Sequence, residues 1–147
     1  KQRYFFSEAE SMCDVSVEAV EQALRSAGWD PMDLDFVIMS SSSRHADYYS
    51  IPSLGSRIQE KLKAYNAFAF DMSAACSGWV FAASQATAYI HSGMATRGVV
   101  ICTEKQLEGL DFTDHRSSVL IGDMAVANLF LKQKSREKKR VYLKRKE

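Results

Sequence analysis

Cys76 stands among small residues, Ala74-Ala75-Cys76-Ser77-Gly78, a setting that suits nucleophilic chemistry. The apolar run Ala67-Phe68-Ala69-Phe70 precedes it and reads as a buried strand; a long helical pattern follows and stops at Ser92-Gly93. The pattern predicts a strand, a small-residue turn with a thiol at its apex, and then a helix, the layout of a nucleophile elbow. Free N–H groups and aligned peptide dipoles at a helix start favour an anion, and so favour thiolate over thiol. Such a dipole supplies about 0.3–1 kcal/mol at an exposed terminus and about 2 kcal/mol when partly buried, so it activates the sulfur only in part. Ser77 and Gly78 are small enough for a substrate to come close to the backbone. A buried, inert cysteine in a tight strand–helix turn has the same local pattern.

Nucleophilic catalysis by a cysteine also needs a site for the carbonyl oxygen and a proton handler. The helix start and the Cys76 N–H can supply the first. His91 lies fifteen residues along the same helix, roughly 22 Å away at 1.5 Å per residue, and reads as a helix C-terminal cation or a surface group. His45 and His115 fall in loops. Cys13 and Cys102 are expected to be buried in a helix and a strand. Three cysteines without a C-x-x-C pair argue against a disulfide framework or a zinc site, and point to a reducing, cytoplasmic setting. No metal is expected.

These residues must be held by one domain-sized core: 147 residues, 46% hydrophobic and 25% charged, match an ordinary globular chain. No apolar run approaches the ~20 residues needed to cross a bilayer, and Lys1-Gln2-Arg3-Tyr4 lacks signal-peptide features. A start at Lys1 implies that upstream residues are missing. Charge is uneven: residues 132–147 hold nine Lys/Arg against two Glu, whereas residues 1–131 are mildly acidic. A basic stretch of this kind can meet nucleic acid or acidic lipid, but its lack of aromatic interleaving disfavours nucleic acid.

Val17, Val20, Leu24 and Ala27 fall at helical spacing, with Gly28 as the stop. Phe36–Met39 is a continuous apolar run suited to a central strand, ended by Ser40–Ser43, which either line a pocket or bond locally. A second helix is expected from Pro52-Ser53, burying Leu54, Ile58 and Leu62 with Arg57, Glu60, Lys61 and Lys63 solvated. The helix after Cys76 has Val80, Ala83, Ala86/Thr87 and Ile90 at core spacing, and its small residues suggest a position deep between layers. Thr96–Cys102 and Met124–Leu131 read as further strands. Strands alternating with helices predict an α/β fold around a mainly parallel sheet.

The run from Phe68 to Gly93, F-A-F-D-M-S-A-A-C-S-G-W followed by A-x-x-Y-I-x-S-G, resembles the nucleophile segment of thiolase-fold condensing enzymes, and most closely that of β-ketoacyl-acyl-carrier-protein synthase III. Ile51-Pro52-Ser53, Asp111-Phe112-Thr113-Asp114 and Ile121-Gly122-Asp123 match in order. The resemblance implies that residues 1–131 form the N-terminal half of such an enzyme without its first strand, and that the basic segment 132–147 begins a second half. It implies acyl transfer through an acyl-Cys76 intermediate: an acyl-coenzyme A or carrier-protein thioester loads the cysteine, and decarboxylation of malonyl-carrier protein gives the attacking enolate. An alternative is acyl transfer to an alcohol or amine; another is a non-catalytic interaction module. The family's His and Asn lie in its second half, so this chain alone is expected to be inactive in condensation. Coenzyme A is implied as substrate, not as a permanent cofactor. His115 and Arg116 stand where the family holds the coenzyme A nucleotide by an arginine, with His115 at the arginine's position. Ile51, with Ser77 and Gly78, is placed at the substrate pocket; Ile51 either gates the pocket of a dimer mate or staples the second helix. Met124 and Val126 replace two family glycines, which implies a rearranged loop or an altered pocket wall. A homodimer joined through the free edge of Thr96–Cys102 and an acidic acyl carrier protein are the implied partners.

Overall fold

A computed structural model describes residues 5–43, 51–116 and 118–133. Helix α1, Met12–Ala27, begins where the Ser11 hydroxyl accepts the Asp14 N–H and ends where Gly28 turns left-handed at φ 66°. Val20 and Leu24 of the expected stripe are buried, Val17 packs half-buried on the core, and Ala27 is exposed. Strand β1, Phe36–Ser40, is buried at every position, as a central strand should be. Helix α2, Leu54–Leu62, buries the expected Leu54, Ile58 and Leu62. Its cap is Ser53, so Pro52 precedes the helix, and Arg57 is half-buried instead of solvated.

Three further strands complete the sheet: β2, Phe68–Met72, β3, Arg97–Glu104, and β4, Met124–Leu131. Their order is β2-β1-β3-β4, with β1 parallel to both β2 and β3, and β4 antiparallel to β3. The mainly parallel α/β sheet is therefore present. Helices α1 and α2 cover one face, where Val37, Met39, Val99 and Ile101 meet Leu24, Leu54 and Ile58. Helix α3, Gly78–Ser92, covers the other, where Phe36, Ile38 and Val100 meet Ala82 and Ala86.

Three expectations are corrected. The strand before Cys76 is an edge strand and only half-buried, because β1 flanks it on one side alone. The strand at 96–102 has no free edge: β3 is hydrogen-bonded to β1 and β4, and Val99, Val100 and Ile101 are fully buried. The buried stripe of α3 is Gly78, Ala82 and Ala86, while Val80 and Thr87 face outward. Small residues on the inner face let the helix axis approach the sheet closely. Its outer side leaves Trp79, Val80 and Phe81 exposed among the described residues.

Two carboxylates tie the layers together. Asp71, at the end of β2, accepts the Leu54 and Gly55 N–H groups at 2.9 and 2.6 Å and so caps α2. Asp35, just before β1, accepts the amides of Thr96 and Arg97 and the Thr96 hydroxyl at 2.6–3.0 Å. Burial works against the Asp35 carboxylate, but the amides of Thr96 and Arg97, the Thr96 hydroxyl and the Arg97 charge outweigh it and hold its pKa below the ordinary range. A depressed folded-state pKa gives stability that is present above the unfolded value and is lost as pH falls through the folded one. Acid titration of unfolding is thus expected to show a loss beginning near pH ~4, and Asp35→Asn should make that loss shallower. An unchanged acid limb in the variant would refute the assignment.

Candidate active site

Strand β2 ends at Met72, and the chain reaches helix α3 through a single 3-10 turn, Ala75–Ser77. Ala75 sits at φ 47°, a left-handed conformation that costs a non-glycine residue about 1–2 kcal/mol. The reversal puts Cys76 at an exposed apex. Gly78, the first residue of α3, is buried on β1, where an added Cβ would overlap the Ser40 hydroxyl. The glycine thus sets how low the helix rests on the sheet. The first turn of α3 holds no acidic side chain, and Ser77 makes no capping bond, so no carboxylate competes with a thiolate for the positive end of the helix dipole.

Cys76 opens on a cavity of about 540 Å³. Ser40 and Ser42 come from the carboxyl end of β1, Cys102 and Glu104 from that of β3, Gln106 from just beyond it, and Ala75 and Trp79 from the turn and α3. Leu120, Ile121 and Gly122 close it from the loop before β4. Of the expected pocket residues, Ser77 and Gly78 do not line this cavity: Ser77 is exposed on the outer side of the turn, and Gly78 is consumed by packing. Ile51 does not line it either and is 99% exposed.

The serine run serves both readings given to it. Ser42 donates to Glu104 Oε1 from its N–H at 2.8 Å and its hydroxyl at 3.1 Å, and Gln106 Nε2 reaches Glu104 Oε2 at 2.8 Å. Gln106 Nε2 also donates to the Ser42 hydroxyl at 2.9 Å. Glu104 and Gln106 were not legible as site residues; the one available signal is a carboxylate two residues past the apolar run Val99–Cys102. Asp123, buried, accepts the N–H groups of Gln106, Leu107 and Phe6 at 2.9, 3.1 and 3.1 Å. It pins the wall that carries Gln106 without entering the cavity.

Burial, and to a lesser degree the Glu104 carboxylate, pushes the Cys102 thiol up, while Cys13 is buried within α1. Cys102 is half-buried and faces the cavity, so the expectation of burial holds for Cys13 and only partly for Cys102. Iodoacetamide labelling with peptide mapping should therefore modify Cys76 first, Cys102 slowly and only at alkaline pH, and Cys13 after unfolding. Equal labelling of all three in the folded protein would contradict this order.

His115 and Arg116 are exposed and do not line the cavity. Asp111 Oδ1 accepts the N–H and hydroxyl of Thr113, and Asp114 Oδ1 accepts the N–H and Nε of Arg116 at 3.1 Å, so two successive turns shape this segment. His91 is exposed in the last turn of α3, with its Nδ1 at 2.9 Å from the Thr87 carbonyl, as a C-terminal group should be. His45 lies outside the described residues, as does the basic segment from 134 onward. Met124 and Val126 are exposed within regular β4, so the missing glycines leave no rearranged loop there. No group of His, Cys, Asp and Glu among the described residues could hold a metal ion.

The family model of 3-oxoacyl-[acyl-carrier-protein] synthase III matches residues 70–144. A β-ketoacyl-[acyl-carrier-protein] synthase III of Streptococcus equi subsp. zooepidemicus is 42% identical over 119 residues, 81% of this chain and 36% of that protein. The crystal structure of 3-oxoacyl-[acyl-carrier-protein] synthase III from Aquifex aeolicus shares the fold with a TM-score of 0.82 at 34% identity, over 92% of this chain and 42% of that one. The priming β-ketosynthase of the R1128 polyketide biosynthetic pathway matches with a TM-score of 0.79 at 34% identity, over 86% of this chain and 37% of that one. The chain spans 36–38% of the length of the curated relatives it matches.

Proposed function

This chain belongs to the 3-oxoacyl-[acyl-carrier-protein] synthase III family, and on that footing we propose that Cys76 carries an acyl group between two thioester substrates in fatty-acid or polyketide biosynthesis. The observation that carries this reading is the exposed Cys76 at the apex of a left-handed turn, at the start of α3 and open to a cavity. In the first step the Cys76 sulfur attacks the carbonyl carbon of an acyl-coenzyme A or acyl-carrier thioester. The new C–S bond forms as the old one breaks, and the proton lost by Cys76 ends on the departing thiol. Decarboxylation of malonyl-carrier protein then yields carbon dioxide and an enolate, which attacks the acyl-cysteine and releases the thiolate.

The second step needs donors for the enolate, and among the described residues neither His91 nor His115 lines the cavity at Cys76. In this reading the chain holds the acylation chemistry, and the rest of the protein supplies the condensation groups. A homodimer belongs to the same proposal. It rests on Ile51, which stands almost fully exposed and is available to a second copy, and not on β3, whose edges are both occupied. Acyl carrier protein as a docking partner and a cytoplasmic location are further parts of it. No helix among the described residues is long and apolar enough to cross a membrane.

The test is intact-mass spectrometry of the protein incubated with acyl-coenzyme A. The expected result is one added acyl group, mapped by peptide sequencing to Cys76. An adduct on Cys102 or Cys13, or none with any thioester, would overturn the reading.

A further inference from the structure

Cys76 shares its cavity with a second thiol. Cys102, near the end of β3, lines the same space, and both sulfurs are free thiols. The register of the sheet brings them together. Cys102 stands opposite Ser40 on parallel β1, about 4.8 Å away across neighbouring strands. It lies on the α3 face, packed on the cluster that holds Val100, Ala82 and Ala86. Helix α3 rests on that same Ser40, whose hydroxyl a Cβ on Gly78 would overlap, and Cys76 precedes Gly78 by two residues. The turn Ala75–Ser77 that carries Cys76 has no side-chain cap, so it is the part that can settle toward the sheet. The two thiols differ in character. Cys76 is exposed at a helix start and meets solutes first. Cys102 is half-buried, and burial, then the Glu104 carboxylate, pushes its thiol up, which keeps it from competing for electrophiles in solution. An electrophile already formed on Cys76 is a different case. Attack inside one cavity draws on an effective concentration that no thiol in solution matches, and that offsets a small thiolate fraction.

The geometry points to a redox switch: hydrogen peroxide oxidises Cys76, and Cys102 then closes a disulfide with it that silences Cys76 until a dithiol reduces it. In the first step the Cys76 thiolate attacks one peroxide oxygen. An S–O bond forms, the O–O bond breaks, and hydroxide leaves; Cys76 is oxidised to a sulfenic acid as the peroxide is reduced. In the second step the Cys102 sulfur attacks the Cys76 sulfur. The S–S bond forms, the S–O bond breaks, and the departing hydroxide leaves as water with the proton lost by Cys102. The disulfide keeps Cys76 from the irreversible sulfinic acid. No acyl group enters either step, so the switch goes beyond the acyl-cysteine reading and shares with it only the reactive Cys76. A disulfide forms only where the two Cα atoms come within about 7 Å, so its formation is itself the test of the placement.

The experiment treats the protein that carries this chain with hydrogen peroxide, blocks the remaining thiols with N-ethylmaleimide, and maps the peptides without reduction. A cross-linked peptide joining Cys76 to Cys102 is expected as the main product. Alkylation of Cys76 by iodoacetamide should fall at least about tenfold after peroxide and return with dithiothreitol. Cys102→Ser removes the resolving thiol, so dimedone should trap a sulfenic acid on Cys76 of that variant. After excess peroxide, dithiothreitol should recover at least about fivefold less of the variant's own starting rate than it does for the unmodified protein. Sulfinic acid on Cys76 of the unmodified protein with Cys102 still free would overturn the proposal. So would a disulfide from Cys76 to any other sulfur, or a Cys76 left unoxidised. Acyl loading by the reduced protein is a separate measurement, and its failure would remove the acyl-cysteine reading while leaving the switch standing.

Discussion

Cys76→Ala is expected to abolish the acyl adduct, a loss of at least about a thousandfold in the loading rate, because a nucleophile has no partial substitute. The variant should fold normally. The Cys76 side chain is exposed, and truncating an exposed side chain usually changes stability by no more than about 0.5 kcal/mol. The neighbouring thiol cannot take over: Cys102 is half-buried and its thiolate is disfavoured by burial and by Glu104. Intact-mass measurement on the alanine variant checks the loss, and thermal unfolding checks the fold. Persistent acylation of that variant at the wild-type rate would place the chemistry elsewhere.

Gly78→Ala should combine destabilisation with a large loss of loading. Its Cβ would enter the space of the Ser40 hydroxyl, and overpacking of this kind costs about 1–3 kcal/mol. The helix start must lift or slide to relieve it, and Cys76 lies only two residues upstream. A displacement of about 1 Å at a reacting atom can cost about a hundredfold in rate. The partner substitution makes the cause testable, because the Ser40 Cβ is 3.6 Å from the added atom, an ordinary contact. Ser40→Ala combined with Gly78→Ala should therefore recover most of both losses. Urea unfolding and loading rates of the two single variants and the double variant measure the coupling. Strict additivity would show that the Ser40 hydroxyl is not what Gly78 avoids.

The thiolase-like arrangement was legible because its signals are local. Gly28 and Gly93 end their helices, Phe36–Met39 is continuously apolar, and the strand–cysteine–helix order stands in one short stretch. The orientation of α3 was not legible, because its mean character is apolar on all sides and several stripes fit equally well. Packing chose the narrowest one, Gly78, Ala82 and Ala86, over the one that would bury Val80. The place of β3 was hidden for a related reason: Val99-Val100-Ile101 reads the same in an interior strand as on an apolar edge, and only β4 decides between them. The left-handed Ala75 gave no sign, since glycine is the residue normally read for that conformation. The polar wall was missed because Ser42, Glu104 and Gln106 meet only when parallel β1 and β3 bring their carboxyl ends side by side.

Glu104 and Lys105 are neighbours in the chain and serve opposite sides of it, one holding the cavity wall and the other holding the carbonyls of Ser7 and Glu10. That division of labour depends on the alternation of side chains at a strand end, where a shift of one residue exchanges the two sides. The segment can therefore drift by substitution far more readily than by length. Deletion of Thr103, the single residue between Cys102 and Glu104, would carry the ammonium of Lys105 into the place of Glu104 beside Ser42 and the carboxylate of Glu104 into the buried place of Thr103 against Ser16, reversing the sign of the charge at the cavity and burying an unpaired charge beneath α1.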